Sequence, residues 1–515
     1  MRTRMGQLGA SQGPVAQSAR GKEVFLNKSK SASIDARRML GIHQPQEQLF
    51  SYRVNLDQRI RKDHPLRRVG HLVDFTFVRA EVARCYGKNG NEGVDPVILA
   101  KLMFLLFFDD VPSERELLER LPERLDYLWF LGCHLDEPTP NHSVLSKARR
   151  RWGRAVFQQI FARTVQQCVE AGLVDGQKIH VDASLVDAHA SKDSVRPGSP
   201  ELIAAYKQVV QAQETKLEDT ATPEACVAVN DTHVSTTDPD AALVSRTGQG
   251  SRLCSHHHRA IDDAHGVITA VETTPGSIAE NHKLMDLVTQ PQAHTRTEVR
   301  TVVGDSQYGP ADNFAACVVQ DLAPHLGVLA DRQKSPTERA DHDDDTEFSY
   351  EAASDTYTCP AGQRLQRRRY HARRRTWEYA AAAGVCAGGA LRERCTSAKT
   401  GRTLQRHEQA AHVALGRQIA RSAAARRDRR RRQHLMEGSF GRAANEHGFK
   451  RSRWRRLWRQ QIQDWLIAAV QNVKLLLRAG AKRVEGGGVA VRAVVGQLNL
   501  GFQTVGAFWG DPAHH

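Results

Sequence analysis

The stretch Lys178-Ile179-His180-Val181-Asp182-Ala183-Ser184-Leu185-Val186-Asp187 decides how the chain is read. Apolar and polar residues alternate along it, the pattern of a half-buried strand. It places a carboxylate, Asp182, between Val181 and Ala183 in an apolar setting. An acid there is costly unless it is paired or binds a cation.

Downstream, His257 to Ile261 and Val267 to Thr273 read as two further strands. Asp262-Asp263-Ala264-His265-Gly266 joins them as a hairpin. Val299 to Val303 is another strand and ends in Gly304-Asp305-Ser306, which puts a second acid at a strand exit before a helix start. A third acid, Glu437, falls on a predicted helix between Met436 and Phe440. Taken singly, each has an ordinary structural reading: strand-end cap, helix N-cap or surface residue. Meeting at one point, they would hold two Mg²⁺ ions, because hard cations prefer oxygen ligands. Two such ions serve phosphodiester exchange.

Upstream, the pattern from Leu49 to about Gly172 is helical. Asp95-Pro96 predicts a helix start before the apolar run Val97 to Phe108. Ser113 with Glu116 has the capping-box spacing and opens a helix from Glu114 to Leu121. A third helix begins near Asn141-His142-Ser143 and carries Lys147, Arg149, Arg150, Arg151 and Arg154. Short helices followed by a basic one suggest a helix-turn-helix-like DNA-binding unit.

The chain of 515 residues holds 73 Lys plus Arg against 58 Asp plus Glu, a net charge of +15, which favours a polyanionic partner. The run Val97 to Phe108 is too short to span a membrane, which needs about 20 apolar residues. Met1 to Gly21 is polar and basic, unlike a secretory signal. Nine scattered cysteines read as reduced thiols of a cytosol.

Several segments resemble insertion-sequence transposases of the DDE superfamily, named for two aspartates and a glutamate. Asn55-Leu56-Asp57-Gln58-Arg59-Ile60, His64-Pro65-Leu66-Arg67, Ser113-Glu114-Arg115-Glu116-Leu117 and Thr139-Pro140-Asn141-His142-Ser143 resemble the helical N-terminal domain, where an aspartate commonly stands at the place of Asn141. Val181 to Ser191, followed by Thr237-Asp238-Pro239-Asp240-Ala241, is similar to the first aspartate strand and its downstream segment. Gly304-Asp305-Ser306-Gln307-Tyr308-Gly309 is similar to the second aspartate motif. Met436-Glu437-Gly438-Ser439-Phe440-Gly441 resembles the glutamate helix, with Gln471-Asn472-Val473-Lys474 closing the pattern.

The resemblance implies an α/β fold: an RNase H-like mixed-sheet core with a helical N-terminal domain and a basic insertion. The expected layout is a basic arm over 1–45 and a helical DNA-binding domain over 46–172. The first part of the core covers 173–330, an Arg- and Cys-containing insertion 331–430, the core's C-terminal helices 431–480 and a tail 481–515. Asp182, Asp305 and Glu437 would be the catalytic metal ligands for two Mg²⁺ or Mn²⁺ ions. The reaction implied is nicking of element ends followed by strand transfer. A stand-alone nuclease and an inactive, transposon-derived DNA-binding protein are the alternatives.

The partners expected are double-stranded DNA, as inverted-repeat ends and target, and a second copy of the chain. A cytoplasmic, nucleoid-associated protein with no membrane contact follows. Arg149, Arg150, Arg151, Arg367, Arg368, Arg369, Arg432, Arg442 and Lys450 are the expected DNA contacts. The family often has a lysine where Ala444 stands, and Arg442 or Lys450 would replace it.

Two clusters are discounted. Cys359, Cys386 and Cys395 lack a C-x₂-C pair, since Gly389 stands at the partner position, so no zinc is expected. His256-His257-His258 point alternately to opposite faces of a strand, so they are read as exposed residues rather than one metal site.

Overall fold

The computed structural model describes residues 54–86, 93–216, 230, 233–246, 249–328, 347–389, 391–396, 398 and 401–485. The basic arm, most of the tail and the acidic residues Asp341, Asp343, Asp344 and Asp345 lie outside them.

The core is a six-stranded mixed sheet. Strand β1 (Lys178–Asp187) lies at its centre. On one side it pairs antiparallel with the long β3 (Gln249–Asp262). β3 in turn pairs with β2 (Ala242–Arg246) and β4 (Ile268–Pro275). On its other side β1 pairs parallel with β5 (Thr301–Val303), which pairs parallel with β6 (Ala323–His325). The order β2-β3-β1-β5-β6, with β4 also paired to β3, antiparallel on one flank and parallel on the other, is the mixed sheet of an RNase H-like core.

The helix starts follow local chemistry. In α1 (Pro96–Phe108) the Asp95 side chain accepts from the Val97 N–H, with Pro at the first position. In α2 (Glu114–Arg120) Ser113 accepts from the Glu116 N–H. Helix α3 (Ser143–Glu170) is the predicted basic helix, kinked at Gly153, whose φ of 67° is a left-handed value that glycine adopts freely.

Helices cover both faces of the sheet. On one, α4 (Leu284–Thr295), α5 (Ala311–Val319) and α6 (Ala410–Ala420) join Ile179, Val181 and Val302 in an apolar cluster. On the other, Val186, Ile261 and Val271 share one core with α1, α3, α7 (Ala423–His447) and α8 (Leu457–Glu485). The N-terminal helices therefore have no core of their own: Phe107, Phe157 and Phe161 sit in the same cluster as Ile462, Trp465 and Val470.

The insertion is a five-stranded antiparallel sheet, β7 (Ser349–Glu351), β8 (Thr356–Thr358), β9 (Arg364–His371), β10 (Thr376–Ala380) and β11 (Thr403–His407). It has a small core of Phe348, Leu365, Tyr379, Ala381 and Leu404. Its chain ends earlier than the composition suggests. Gly416 of α6 packs against Phe314 of α5, and α7 begins at Ala423, so 410–430 pack with the mixed sheet. The Arg-rich run 426–432 made this part look like insertion, but Ala425 and Met436 turn inward beneath it.

The three histidines correct an expectation. His256, His257 and His258 are buried, not exposed. β3 has strands on both edges and helices over both faces, so both of its alternating sets are covered. His257 Nδ1 lies 2.9 Å from Asp464 Oδ2, both fully buried, while His258 Nε2 lies 2.8 Å from Thr274 Oγ1. The neighbouring Arg259 is also buried. It donates to His257 Nε2, Ser439 Oγ and Gln471 Oε1, and stands 4.4 Å from the Phe440 ring centroid. Through Nε and Nη1 this buried charge ties β3 to α7 and α8, while its Nη2 makes no hydrogen bond.

Candidate active site

β1 and β5 bring the two aspartates together through their register. His180 pairs with Val303, and Asp182 and Asp305 each follow two residues later. Carboxylate oxygens of Asp182, Asp305 and a third residue, Glu280, lie within 4.8 Å of one another, the one such cluster of three potential metal ligands among the described residues.

Each acid is held by its backbone. Asp182 accepts from the Ala183 N–H at 2.9 Å, and Asp305 from the Gln307 N–H at 2.8 Å, capping the short turn Ser306–Tyr308. That turn approaches the strand exit of β6 closely: a Cβ on Gly327 would stand 2.6 Å from the Ser306 nitrogen, so only glycine fits. Glu280 opens the turn Glu280–Lys283 after β4. Asn313 fastens the two turns together, its Nδ2 donating to the carbonyls of Asn281 and Tyr308 at 3.0 and 3.1 Å.

Arg432 of α7 is the cation over this cluster. Its Nη1 stands 3.0 Å from Asp182 Oδ2 and its Nη2 3.8 Å from Asp305 Oδ2, and Nη1 also donates to the Val181 carbonyl. One turn earlier Asp428 pairs with Lys178 and His325, at 3.1 and 2.7 Å, which fixes the helix over β1 and β6. Burial pushes the Asp182 carboxyl up to about 6 despite Arg432. A half-buried acid in that state is a group a bound cation would favour in its charged form.

Glu437 lies five residues beyond Arg432, about 7.5 Å along the helix. It is exposed and accepts from Gln433 Nε2 at 3.1 Å, outside the cluster. Glu446, farther along, pairs with Lys474 at 3.0 Å. Lys450 Nζ stands 2.6 Å from Ser184 Oγ, on the same face of β1 as Asp182. Arg442, by contrast, is half-buried beside Glu446 and Arg478.

The remaining basic residues divide. Arg151, Arg367, Arg368 and Arg369 are exposed, and Arg150 is half-buried. Arg367 pairs with Asp355 at 2.8 Å and stands 4.4 Å from the Trp377 ring centroid. Arg149 departs from expectation. It is buried, ion-paired with Glu114, and lies 3.8 Å over the Trp454 ring, so its charge joins helices instead of facing a ligand. The signal was present: Leu145, Ala148, Trp152 and Val156 form a buried stripe at helical spacing, and Arg149 falls on it.

Sequence reasoning passed over Glu280, which sits in a turn with no strand or helix periodicity around it. Cys359, Cys386 and Cys395 pack against the apolar cluster of the insertion sheet. No helix among the described residues is long and apolar enough to cross a membrane.

Comparison with protein families gives two matches. Residues 54–151 match a model described as Transposase domain (DUF772), and residues 358–477 match one described as Transposase DDE domain. The second range holds strands β9, β10 and β11 of the insertion sheet and the helix of Glu437; Asp182, Glu280 and Asp305 lie between the two ranges. No curated protein and no solved structure matches the chain.

Proposed function

The chain belongs to the insertion-sequence DDE transposases, and from that we propose that it nicks the ends of an element and transfers the freed strands to target DNA, with Asp182, Asp305 and Glu437 as its metal-binding catalytic acids. The observation that carries this reading is the meeting of Asp182 and Asp305 at the β1–β5 junction, with carboxylate oxygens close enough to share a cation.

The residues fit a divalent metal. The donors are all carboxylate oxygens, the set Mg²⁺ and Mn²⁺ prefer, and burial disfavours the charged form of Asp182 even beside Arg432, a penalty that a bound cation would offset. When bound, such ions would activate the attacking oxygen and stabilise the leaving one. Water, then a DNA 3′-hydroxyl, would be the nucleophile, so no covalent enzyme intermediate is required.

The chain's own residues do the positioning. The Asp305 cap and the Asp182 backbone contact hold both acids before substrate arrives. Arg432 partly offsets their charge in the metal-free protein and is placed to move onto a DNA phosphate once its partners take up a cation. Lys450 is the better replacement for the lysine missing at Ala444, because it shares the face of Asp182 whereas Arg442 points to Glu446 and Arg478. Arg150, Arg151, Arg367, Arg368 and Arg369 would hold the DNA backbone. A second copy of the chain would pair the two ends, in the cytoplasm at the nucleoid.

The test is cleavage and strand transfer on DNA carrying the element's own ends. Products that depend on Mg²⁺ or Mn²⁺ and vanish in Asp182→Asn support the reading. Cutting without joining would favour a nuclease, and binding without cutting an inactive DNA-binding protein.

A further inference from the structure

Glu280 is the acid at the site that the DDE pattern does not use. We propose that it is a further metal-binding carboxylate, which with Asp182 and Asp305 takes up a divalent cation before DNA is bound. The inference rests on the proposed metal-dependent reaction at this site.

Three features of the structure carry it. The first is geometry: Glu280, not Glu437, supplies the third carboxylate within 4.8 Å of the two aspartates.

The second is that the turn bearing Glu280 is held in place. Its Oε1 lies 3.4 Å from His256 Nε2, and His256 Nδ1 lies 3.0 Å from the Ile278 carbonyl. A carbonyl oxygen only accepts, so Nδ1 carries the proton and the ring orientation is fixed. Asn313 bonds the Glu280 turn to the turn that bears Asp305. The neighbouring Lys283 is committed elsewhere, to Glu272 and Asp286. A carboxylate whose turn is pinned by the His256–Ile278 and Asn313 hydrogen bonds is organised for a ligand in the way supporting residues organise metal ligands.

The third is an unsatisfied donor. Tyr308 is fully buried, and its hydroxyl has no hydrogen-bond partner. The acids whose charge it feels are Glu280, Asp182 and Asp305. A buried phenol without a partner is a costly feature, and a water or ligand oxygen on a cation held by these acids would satisfy it. Charge points the same way. Arg432 ion-pairs with two of the three carboxylates, Asp182 and Asp305, and a divalent cation would offset the negative charge that remains.

The experiment titrates Mn²⁺ into the full-length, DNA-free protein and reads free Mn²⁺ by its electron paramagnetic resonance signal. Glu280→Gln should weaken binding about 10-fold or more, and by more than Glu437→Gln does. Wild-type-like binding by Glu280→Gln, or a loss no larger than that of Glu437→Gln, overturns the inference. If Asp182→Asn and Asp305→Asn also bind as wild type does, the metal site itself is wrong; if they lose binding while Glu280→Gln keeps it, only the role of Glu280 falls. A measurement on the unmodified chain guards against misfolded variants. Fe²⁺ loaded in place of Mn²⁺, with peroxide and ascorbate, should cut the backbone within Ile278–Lys283 as well as near Asp182 and Asp305. Cutting near the aspartates without cutting in that turn contradicts the inference.

Discussion

Asp182 and Asp305 stand at matching positions on parallel neighbours, each two residues past the pair His180–Val303. Because the two strands run parallel, this register brings both carboxyls to the same end of the sheet, Asp305 as the cap of the turn that follows β5. Replacing either by Asn preserves shape and removes the charge a cation needs. Each single variant should reduce cleavage by about 10³-fold or more, and the double variant should lose little further, since both dismantle one site. Binding to element ends should persist. Additive losses in the double variant would show that the two acids work independently.

Burial of Asp182 sets a pH dependence. A carboxyl raised to about 6 holds its proton more tightly folded than unfolded. Metal-free stability therefore falls as pH rises from near 4 through about 6, and the penalty is fully present above that. Asp182→Asn removes it. The metal-free variant should be more stable than wild type at pH 7.5, by roughly 3 kcal/mol at most, and no more stable at pH 4. Denaturant unfolding at both pH values measures this, and a variant less stable at pH 7.5 would contradict it.

Arg149 and Arg151 separate stability from binding. Arg149 is buried against Glu114 and Trp454. Arg149→Met leaves Glu114 without its charge partner and should cost about 3 kcal/mol or more, with the salt dependence of DNA binding unchanged. Arg151→Ala should leave the melting temperature in place and lower the slope of binding against salt. The opposite pattern would put Arg149 on the DNA.

Neutralising Arg367, Arg368 and Arg369 should weaken binding to all DNA sequences alike and flatten its salt dependence. Arg367 also holds Asp355 and stacks on Trp377, so Arg369→Ala is the cleaner single variant. A loss confined to one DNA sequence would point to base readout by this sheet.

What the sequence disclosed, and what it hid, follows from the range of the interactions. Asp95, Ser113 and the strand of Asp182 are legible because a cap or an alternation is complete within ten residues. The aspartate pair was legible through family motifs, but its geometry depends on a β1–β5 register more than a hundred residues apart in the chain. Glu280 was invisible, since only the fastening of its turn by Asn313 and His256 makes it part of the site. The histidines misled because three polar residues in a row look solvated. Their burial comes from β3 lying inside the sheet under two helical layers, and from Asp464, Thr274 and Glu280, all distant in sequence. The Arg run 426–432 hid the start of α7, whose inward residues are too sparse among arginines to display a helical stripe.

In the proposed reaction a divalent metal held by Asp182 and Asp305, with Glu437 from the helix, would drive cleavage and joining of element ends. The most direct measurement is a strand-transfer assay on end DNA, comparing wild type with Asp182→Asn, Asp305→Asn, Glu437→Gln and Glu446→Gln, in Mg²⁺ and in chelator. Joined products are expected from wild type and from Glu446→Gln in Mg²⁺, and none in chelator or from the other three, with DNA binding retained throughout. Products from Asp182→Asn, or loss in Glu446→Gln with activity kept in Glu437→Gln, would contradict it.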